Sequence, residues 1–558
     1  QALTPMNKNK HLLLWSSLGA LCLLVGAAVQ ENFLKEWRGI QASIQTDAGP
    51  ADVRLRQIVA PKLGVTDRCV TCHVGMAPGE QEGSGHPLAA AHGPVGHDPA
   101  EFGCTVCHGG QGRATEKADA HGDVRFWPAP MIPTRYAYAG CGSCHTHIRV
   151  PGQSELERGR SLLERYDCLA CHRVDGRGGT LRPGGVGGME GPDLSQAGAR
   201  GFDTRWHEKH LQFAGQPDKA GWQDAFTDID TAERDSIEAF LTSRVGAPRL
   251  VDAKARFHSL GCRGCHKIGG IGGDDGPDLS RVGQRDPGQL DFTHVRGEHT
   301  LANWLSEHTR DPARVVSGSK MPKFGLSDDD VDLLTYYMLS LRRSDLPEAY
   351  WPKDRIQASR FGQREFSTDG ATLFGTFCAA CHGDAGQGRR FPGSPPMPAV
   401  GNADFLAAAR DGFLESTIWL GRPGRRMPAF GEDAGGLRRE EVQAIIAHLR
   451  REAGVKEPDR LHPLPRWASG DPDRGRSLYD RHCAGCHGAR GEGTDAPALN
   501  HPLLQATASD DYFVETIRRG RRGTPMEGFG QPSTIHPVLA LGDIESIVAY
   551  LRTWEKRQ

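Results

Sequence analysis

A cysteine pair separated by two residues and closed by a histidine occurs seven times in this chain. The copies are Cys69, Cys72 and His73; Cys104, Cys107 and His108; Cys141, Cys144 and His145; Cys168, Cys171 and His172; Cys262, Cys265 and His266; Cys378, Cys381 and His382; and Cys483, Cys486 and His487. Two thiols and an imidazole in that order make the attachment site of haem c: the thiols add to the porphyrin vinyl groups and the imidazole ligates iron. Of the 15 cysteines only Cys22 stands outside the motif. Chance would supply roughly 0.02 copies in a chain of this composition. Zinc sites would call for paired Cys-x-x-Cys units without a systematic trailing histidine, and a thioredoxin-like site for one motif in a βαβ context. The chain is therefore expected to carry seven covalently bound haem c groups, with fourteen thiols as attachment points and seven histidines as proximal iron ligands.

The motif spacing says what must hold these groups. The first four copies start 35, 37 and 27 residues apart, the later ones 94, 116 and 105. Close spacing leaves no room for a separate fold per haem, whereas about a hundred residues is enough for one small domain each. The expected organisation is a membrane anchor over 1–35 (helix about 11–30), a loop-rich triple-haem module over 36–153, and single-haem domains over 154–247, 248–345, 367–455 and 470–558, with linkers at 346–366 and 456–469. Four units repeat one pattern. A short helix precedes the motif, and the segments starting at Arg158 and Arg474 are nearly identical. A Pro-x-apolar step follows it (Pro192, Pro277, Pro398, Pro497). An amphipathic helix closes each unit, as in Val331, Leu334, Met338 and Leu341, or Ile544, Ile547, Val548 and Leu551. In the fourth-haem unit the closing helix is expected over Asp235 to Ser243. The fold class is mainly α.

This repeat, from about residue 155 onward, resembles class I cytochrome c. The resemblance implies that the closing helix crosses the leading helix and that the Pro carbonyl orients the proximal histidine, as is expected physically of a ligating imidazole. It also implies a methionine as sixth ligand shortly before the closing helix, where Met321, Met427 and Met526 stand, each in a Pro-flanked loop followed by Phe. Met/His ligation raises the potential of a haem. The fourth haem lacks such a methionine, and Met189 is too near its motif. His207 and His210, on an expected helix, are its candidate ligands; the alternative is an open iron where small molecules could react. The triple-haem module offers His86, His92, His97, His121, His147 and Met76. The run His73-Val-Gly-Met76 resembles anchored quinol-dehydrogenase cytochromes of the tetrahaem type.

Residues 11–30 contain no Asp, Glu, Lys or Arg. As a helix these twenty residues span about 30 Å, enough for a bilayer. Lys8 and Lys10 just before them favour an N-in orientation, a cleaved signal peptide being the alternative. Haem attachment of this kind implies placement outside the cytoplasm: the inner membrane by one helix, with the haem domains in the periplasm. Net charge is −2, which gives no reason to expect nucleic acid, and no Rossmann, P-loop or metalloprotease motif is present. The expected role is an electron wire from low-potential haems near the membrane to the Met/His domains. The resemblance implies a quinol-oxidising complex of the cytochrome bc kind, with cytochrome b-like and iron–sulfur subunits as membrane partners. A soluble cytochrome or terminal oxidase would be the acceptor. The rival readings are reduction of nitrogen oxides or peroxide at an open fourth haem, a cytochrome subunit of a periplasmic dehydrogenase, and direct quinol oxidation by this chain.

Overall fold

A computed structural model describes residues 5–46, 49–79, 86–93, 95–179, 191–200, 209–210, 228–342 and 346–555. His207 and Met189 lie outside the described residues. The fold is mainly α, and strands are confined to short antiparallel pairs such as Ile58–Ala60 with Val65–Asp67, where Val59 faces Thr66.

The chain opens with a helix over Pro5–Phe33, longer at both ends than the 11–30 expected from its apolar run. It is long and apolar enough to cross a membrane, and none of its most apolar window is buried in the protein. Leu12, Leu23 and Leu24 are each about two-thirds or more exposed (71%, 77% and 68%), a surface that water would penalise and lipid would accept.

The chain divides into two compact units. The first comprises Gln1–Cys144, Gln284–Leu290 and Ser344–Trp351. It has little regular structure beyond its first two helices, and single turns of helix carry its haem motifs. Small clusters stand in for a core: Ile44, Ala51, Val74 and Ala89 in one, Ile58, Val70 and Ala77 in another.

The second unit comprises His145–Gly283, Asp291–Arg343 and Pro352–Gln558. It contains four helix pairs, in each of which a leading helix crosses a closing one: Gln153–Arg165 with Thr231–Thr242, Pro248–Ser259 with Asp328–Ser340, Gly370–Phe377 with Arg439–Ala453, and Pro472–His482 with Leu541–Arg552. Side-chain caps start four of these eight helices. Asp230 accepts from the Glu233 amide at 2.8 Å, Asp369 from Thr372 at 2.9 Å and Asp471 from Asp473 at 2.9 Å, while Ser327 and Asp330 form a reciprocal capping box. The cap at Asp230 explains why the fourth-haem closing helix begins at Thr231, a turn before the Asp235 start expected from its apolar stripe. Glycine sets how closely the helices cross. A Cβ at Gly475 would lie 1.9 Å from the Ser546 carbonyl, and one at Gly159 would lie 2.4 Å from the Ser236 carbonyl. One apolar cluster runs through the last two helix pairs, from Phe366 and Leu373 to Val548 and Leu551, and Phe413 packs on Tyr512 with ring centres 4.6 Å apart.

Candidate functional site

Each Cys-x-x-Cys-His copy is built as a single turn. In six copies the histidine amide donates to the carbonyl of the first cysteine: His73 to Cys69, His108 to Cys104, His172 to Cys168, His266 to Cys262, His382 to Cys378 and His487 to Cys483, all between 2.9 and 3.1 Å. One turn brings residues three and four apart onto one face, so two thiols and an imidazole project together. Burial pushes the leading thiols of Cys262, Cys378 and Cys483 up to about 12, and that of Cys168 to about 11. They rest as S–H groups rather than reactive thiolates.

In the four helix-pair domains the same backbone group holds the imidazole. Nδ1 of His172, His266, His382 and His487 lies 2.8 Å from the carbonyl oxygen of Pro192, Pro277, Pro398 and Pro497 respectively. A carbonyl can only accept, so Nδ1 carries the proton and Nε2 keeps a lone pair, the tautomer a metal needs. Burial lowers the imidazoles of His266, His382 and His487 below the ordinary range, against the opposing pull of the carbonyl. They are neutral at physiological pH. A glycine makes room for the ring in two domains: a Cβ at Gly191 or Gly276 would lie 2.4 Å from Cε1 of His172 or His266. The recurring Gly-Pro-Asp-Leu carried this signal in the sequence, although the Pro-x-apolar step alone drew attention.

Opposite the histidines stand the other candidate ligands. The ring centres of His172 and His210 are 6.1 Å apart, and those of His108 and His92 are 6.0 Å apart. Two imidazoles bound on either side of one metal need two bonds of about 2 Å each plus the two ring radii, about 6 Å in all. Both separations are of this size. His92 also donates Nδ1–H to the Gly93 carbonyl at 2.7 Å, which frees its Nε2. Burial lowers His73, with the nearby His121 and then His108 adding to the effect. His86 instead caps a turn, its Nδ1 accepting from the Leu88 amide at 3.2 Å. His147 pairs with the Thr146 hydroxyl at 2.7 Å. His97 packs on Phe102, and Met76 packs against the cluster around Val70. Among the described residues no three His, Cys, Asp or Glu side chains converge into an all-protein metal cage. Opposed imidazole pairs suit a metal already held in a ring.

Met321, Met427 and Met526 are half-buried at the ends of tight loops just before the closing helices. The Arg422 amide donates to the Met427 carbonyl at 2.8 Å, and the Arg521 amide to that of Met526 at 2.7 Å. The Met526 amide is held by Thr524 Oγ1 at 3.2 Å, and that of Met321 by Ser319 Oγ at 3.3 Å.

Two further arrangements were not visible in the motif pattern. Lys254, Arg263 and Glu365 form a buried ionic cluster. The ammonium donates to Glu365 at 2.6 Å and to the Ile148 carbonyl at 2.6 Å, and the Arg263 guanidinium meets the same carboxylate at 2.7 Å. Arg263 lies between the two cysteines of its own motif. Thiols of different motifs also act on one another. The Cys69 thiol pushes that of Cys104 up in the first unit, and the Cys381 thiol pushes that of Cys265 up in the second.

The family model described as cytochrome c matches residues 250–342, 367–452 and 472–555, three spans that each contain one Pro-held histidine and one methionine loop, whereas His172 lies outside them. Over 30% of its length the chain is 30% identical to the cbb3-type cytochrome c oxidase subunit FixP of Bradyrhizobium diazoefficiens, covering 56% of that protein. It is 28% identical to the cbb3-type subunit CcoP of an Azospirillum species, over 34% of this chain and 62% of that one. It is 26% identical to the cytochrome bc1 complex cytochrome c subunit of Mycobacterium tuberculosis, over 28% and 54%. The chain thus spans little more than half the length of the curated relatives it matches.

Proposed function

We propose that this chain, whose three C-terminal segments match the cytochrome c family model, is a membrane-anchored heptahaem wire. It takes electrons from a quinol-oxidising respiratory complex and delivers them to a periplasmic acceptor or a terminal oxidase. Its seven histidines of the Cys-x-x-Cys-His copies would be the proximal ligands. Met321, Met427 and Met526 would complete haems 5 to 7, His210 haem 4, His92 haem 2 and His121 haem 1. When bound, haem supplies one-electron chemistry at iron; the protein supplies orientation, tautomer and surroundings.

The observation that carries this reading is the four-fold repetition of the His Nδ1 to Pro carbonyl bond at 2.8 Å. It supports the reading by leaving Nε2 of four motif imidazoles free to accept a metal. The His172–His210 spacing argues against the open fourth haem that an enzyme would need. The Pro5–Phe33 helix supports an anchor in the inner membrane, with the haem domains in the periplasm. The relatives named above, subunits of cbb3-type oxidases and of a bc1 complex, support a respiratory partnership with cytochrome b-like and iron–sulfur subunits on one side and an oxidase on the other.

Gentle purification from native membranes tests the assignment. Haem quantitation is expected to return seven per chain, a cytochrome b and an iron–sulfur subunit are expected to co-purify, and a quinol is expected to reduce the haems. Isolation of the chain alone, unreduced by quinol, overturns the complex. His210→Ala is expected to convert one low-spin haem to a high-spin form that binds added ligands. An unchanged spectrum removes His210 from haem 4.

A further inference from the structure

We propose that the tip of the loop 122–130 enters the lipid headgroup layer, with Phe126 as a second membrane contact that sets which face of the first unit is turned to the bilayer. The inference rests on the membrane anchor proposed above and goes beyond it. A single helix fixes that the unit stays near the membrane, not which of its faces meets it.

The loop is built to hold Phe126 outward. Its ends are joined, the Met131 amide donating to the His121 carbonyl at 2.8 Å and the Gly110 amide to the Ala129 carbonyl at 2.7 Å. Trp127 is turned inward: its Nε1 donates to the Ala129 carbonyl at 3.0 Å, and a Cβ at Gly122 would lie 2.7 Å from its ring. The neighbouring Phe126 is 72% exposed and has a φ of 64°. Among the described residues the other non-glycine positions with positive φ are Asp167 and Asp175, a residue type that tolerates this region, whereas a bulky side chain is disfavoured there. Such outliers gather where a segment meets a ligand, and an exposed phenyl ring returns nothing to the folded core. Val124 and Arg125 are exposed beside it.

The bilayer is the surface within reach. Lys35 follows the end of the Pro5–Phe33 helix, and its ammonium meets Glu31 of that helix and Glu116, each at 3.0 Å. Glu116 precedes the short helix Lys117–His121, which leads into the loop. Five helical and five extended residues reach at most about 25 Å, so the tip stays within that distance of Glu116 and hence close to the foot of the anchor. Phe33 and Leu34 are 68% and 70% exposed at the same foot. Aromatic rings are favoured at the membrane–water interface, and an arginine can lay its stem along the acyl boundary with its head among the phosphates. A protein partner would need about 800 Å² of surface on each side, while one aromatic side chain offers about 150–250 Å². A lone ring on a rigid loop suits lipid.

The test is photolabelling of the full haem-loaded chain in nanodiscs of phosphatidylethanolamine and phosphatidylglycerol, doped with a lipid that carries a diazirine near its headgroup and read by peptide mass spectrometry. Cleavage after Arg125 and Arg135 isolates residues 126–135. The peptide containing Ile535, a side chain of the second unit that is 74% exposed, sets the background. Residues 126–135 are expected to be labelled well above that background, together with the N-terminal helix. Phe126→Ser is expected to lose the loop labelling and leave that of the helix unchanged, and Phe126→Trp to retain both. A labelled helix with the wild-type loop at background overturns the contact while the anchor stands. If neither is labelled, the anchor fails and the contact with it. Loop labelling that survives undiminished in Phe126→Ser also overturns the assignment of the contact to Phe126.

Discussion

Two pairs of cysteines from different motifs act on each other in this molecule, and the chain brings each pair together by a different route. Cys69 and Cys104 are 35 residues apart, and a single carboxylate brings them together: Asp67, just before the first motif, accepts from the Cys104 amide at 2.5 Å and from the Thr105 amide and hydroxyl at 2.8 Å each. Cys104 also packs against the small cluster of Ile58, Val70 and Ala77. Cys265 and Cys381 are 116 residues apart and meet because two separately folded helix pairs pack on each other, with the shared carboxylate of Glu365 receiving Lys254 and Arg263. The local clasp is compact and needs little apolar surface. The long-range one rests on buried charge, which holds only while every member is present.

That difference can be put under load. The largest effect is expected from Glu365→Gln, which leaves two buried cations facing each other. Breaking one side of such a buried network costs about 3–5 kcal/mol, read as a loss of denaturant resistance in the unit that contains haems 5 and 6, with haems 1 and 2 unaffected. Asp67→Asn is expected to cost less, about 1.5–3 kcal/mol, because it weakens charge-assisted hydrogen bonds without stranding a charge. Its loss should appear only in the first two haems. If both substitutions cost the same, the contrast between clasp and core is wrong.

The smallest effect concerns His258, buried beside this cluster with Arg263, Lys254 and Glu365 as its charged neighbours; burial, then the two cations, lowers its imidazole well below the ordinary range. A group neutral in the folded state and protonated in the unfolded one withdraws stability as pH falls below its unfolded value near 6.5. The slope for one such group is at most about 1.4 kcal/mol per pH unit. The acid limb of a stability curve is therefore expected to flatten by that amount in His258→Gln, which carries no titratable ring. The depressed carboxyl of Glu365 acts lower on the scale. Its contribution is present above its unfolded value near 4.5 and is lost as pH falls toward its folded one.

Much of the architecture could be read from residue spacing. Apolar stripes such as Ile544, Ile547, Val548 and Leu551 are helical in the structure and line the last domain's core. The near-identical segments at Arg158 and Arg474 place Gly159 and Gly475 at equivalent helix crossings. Ends of helices were less legible, because the cap at Asp230 sits outside the apolar period that marks the helix. Which histidine faces which was not legible at all. Eight histidines lie between His73 and His147, and chain order does not reveal that His92 faces His108 while His86 caps a turn.

The motifs, the expectation of one small helical domain per later haem, and the apolar N-terminal helix follow from the sequence alone, because covalent attachment, helical period and bilayer thickness are local demands met by nearby residues. The tertiary structure alone decided the opposed imidazole pairs, the Lys254–Glu365–Arg263 cluster and the meeting of Cys265 with Cys381. Those depend on how segments separated in the chain bury each other's charge and volume, and no local pattern records that.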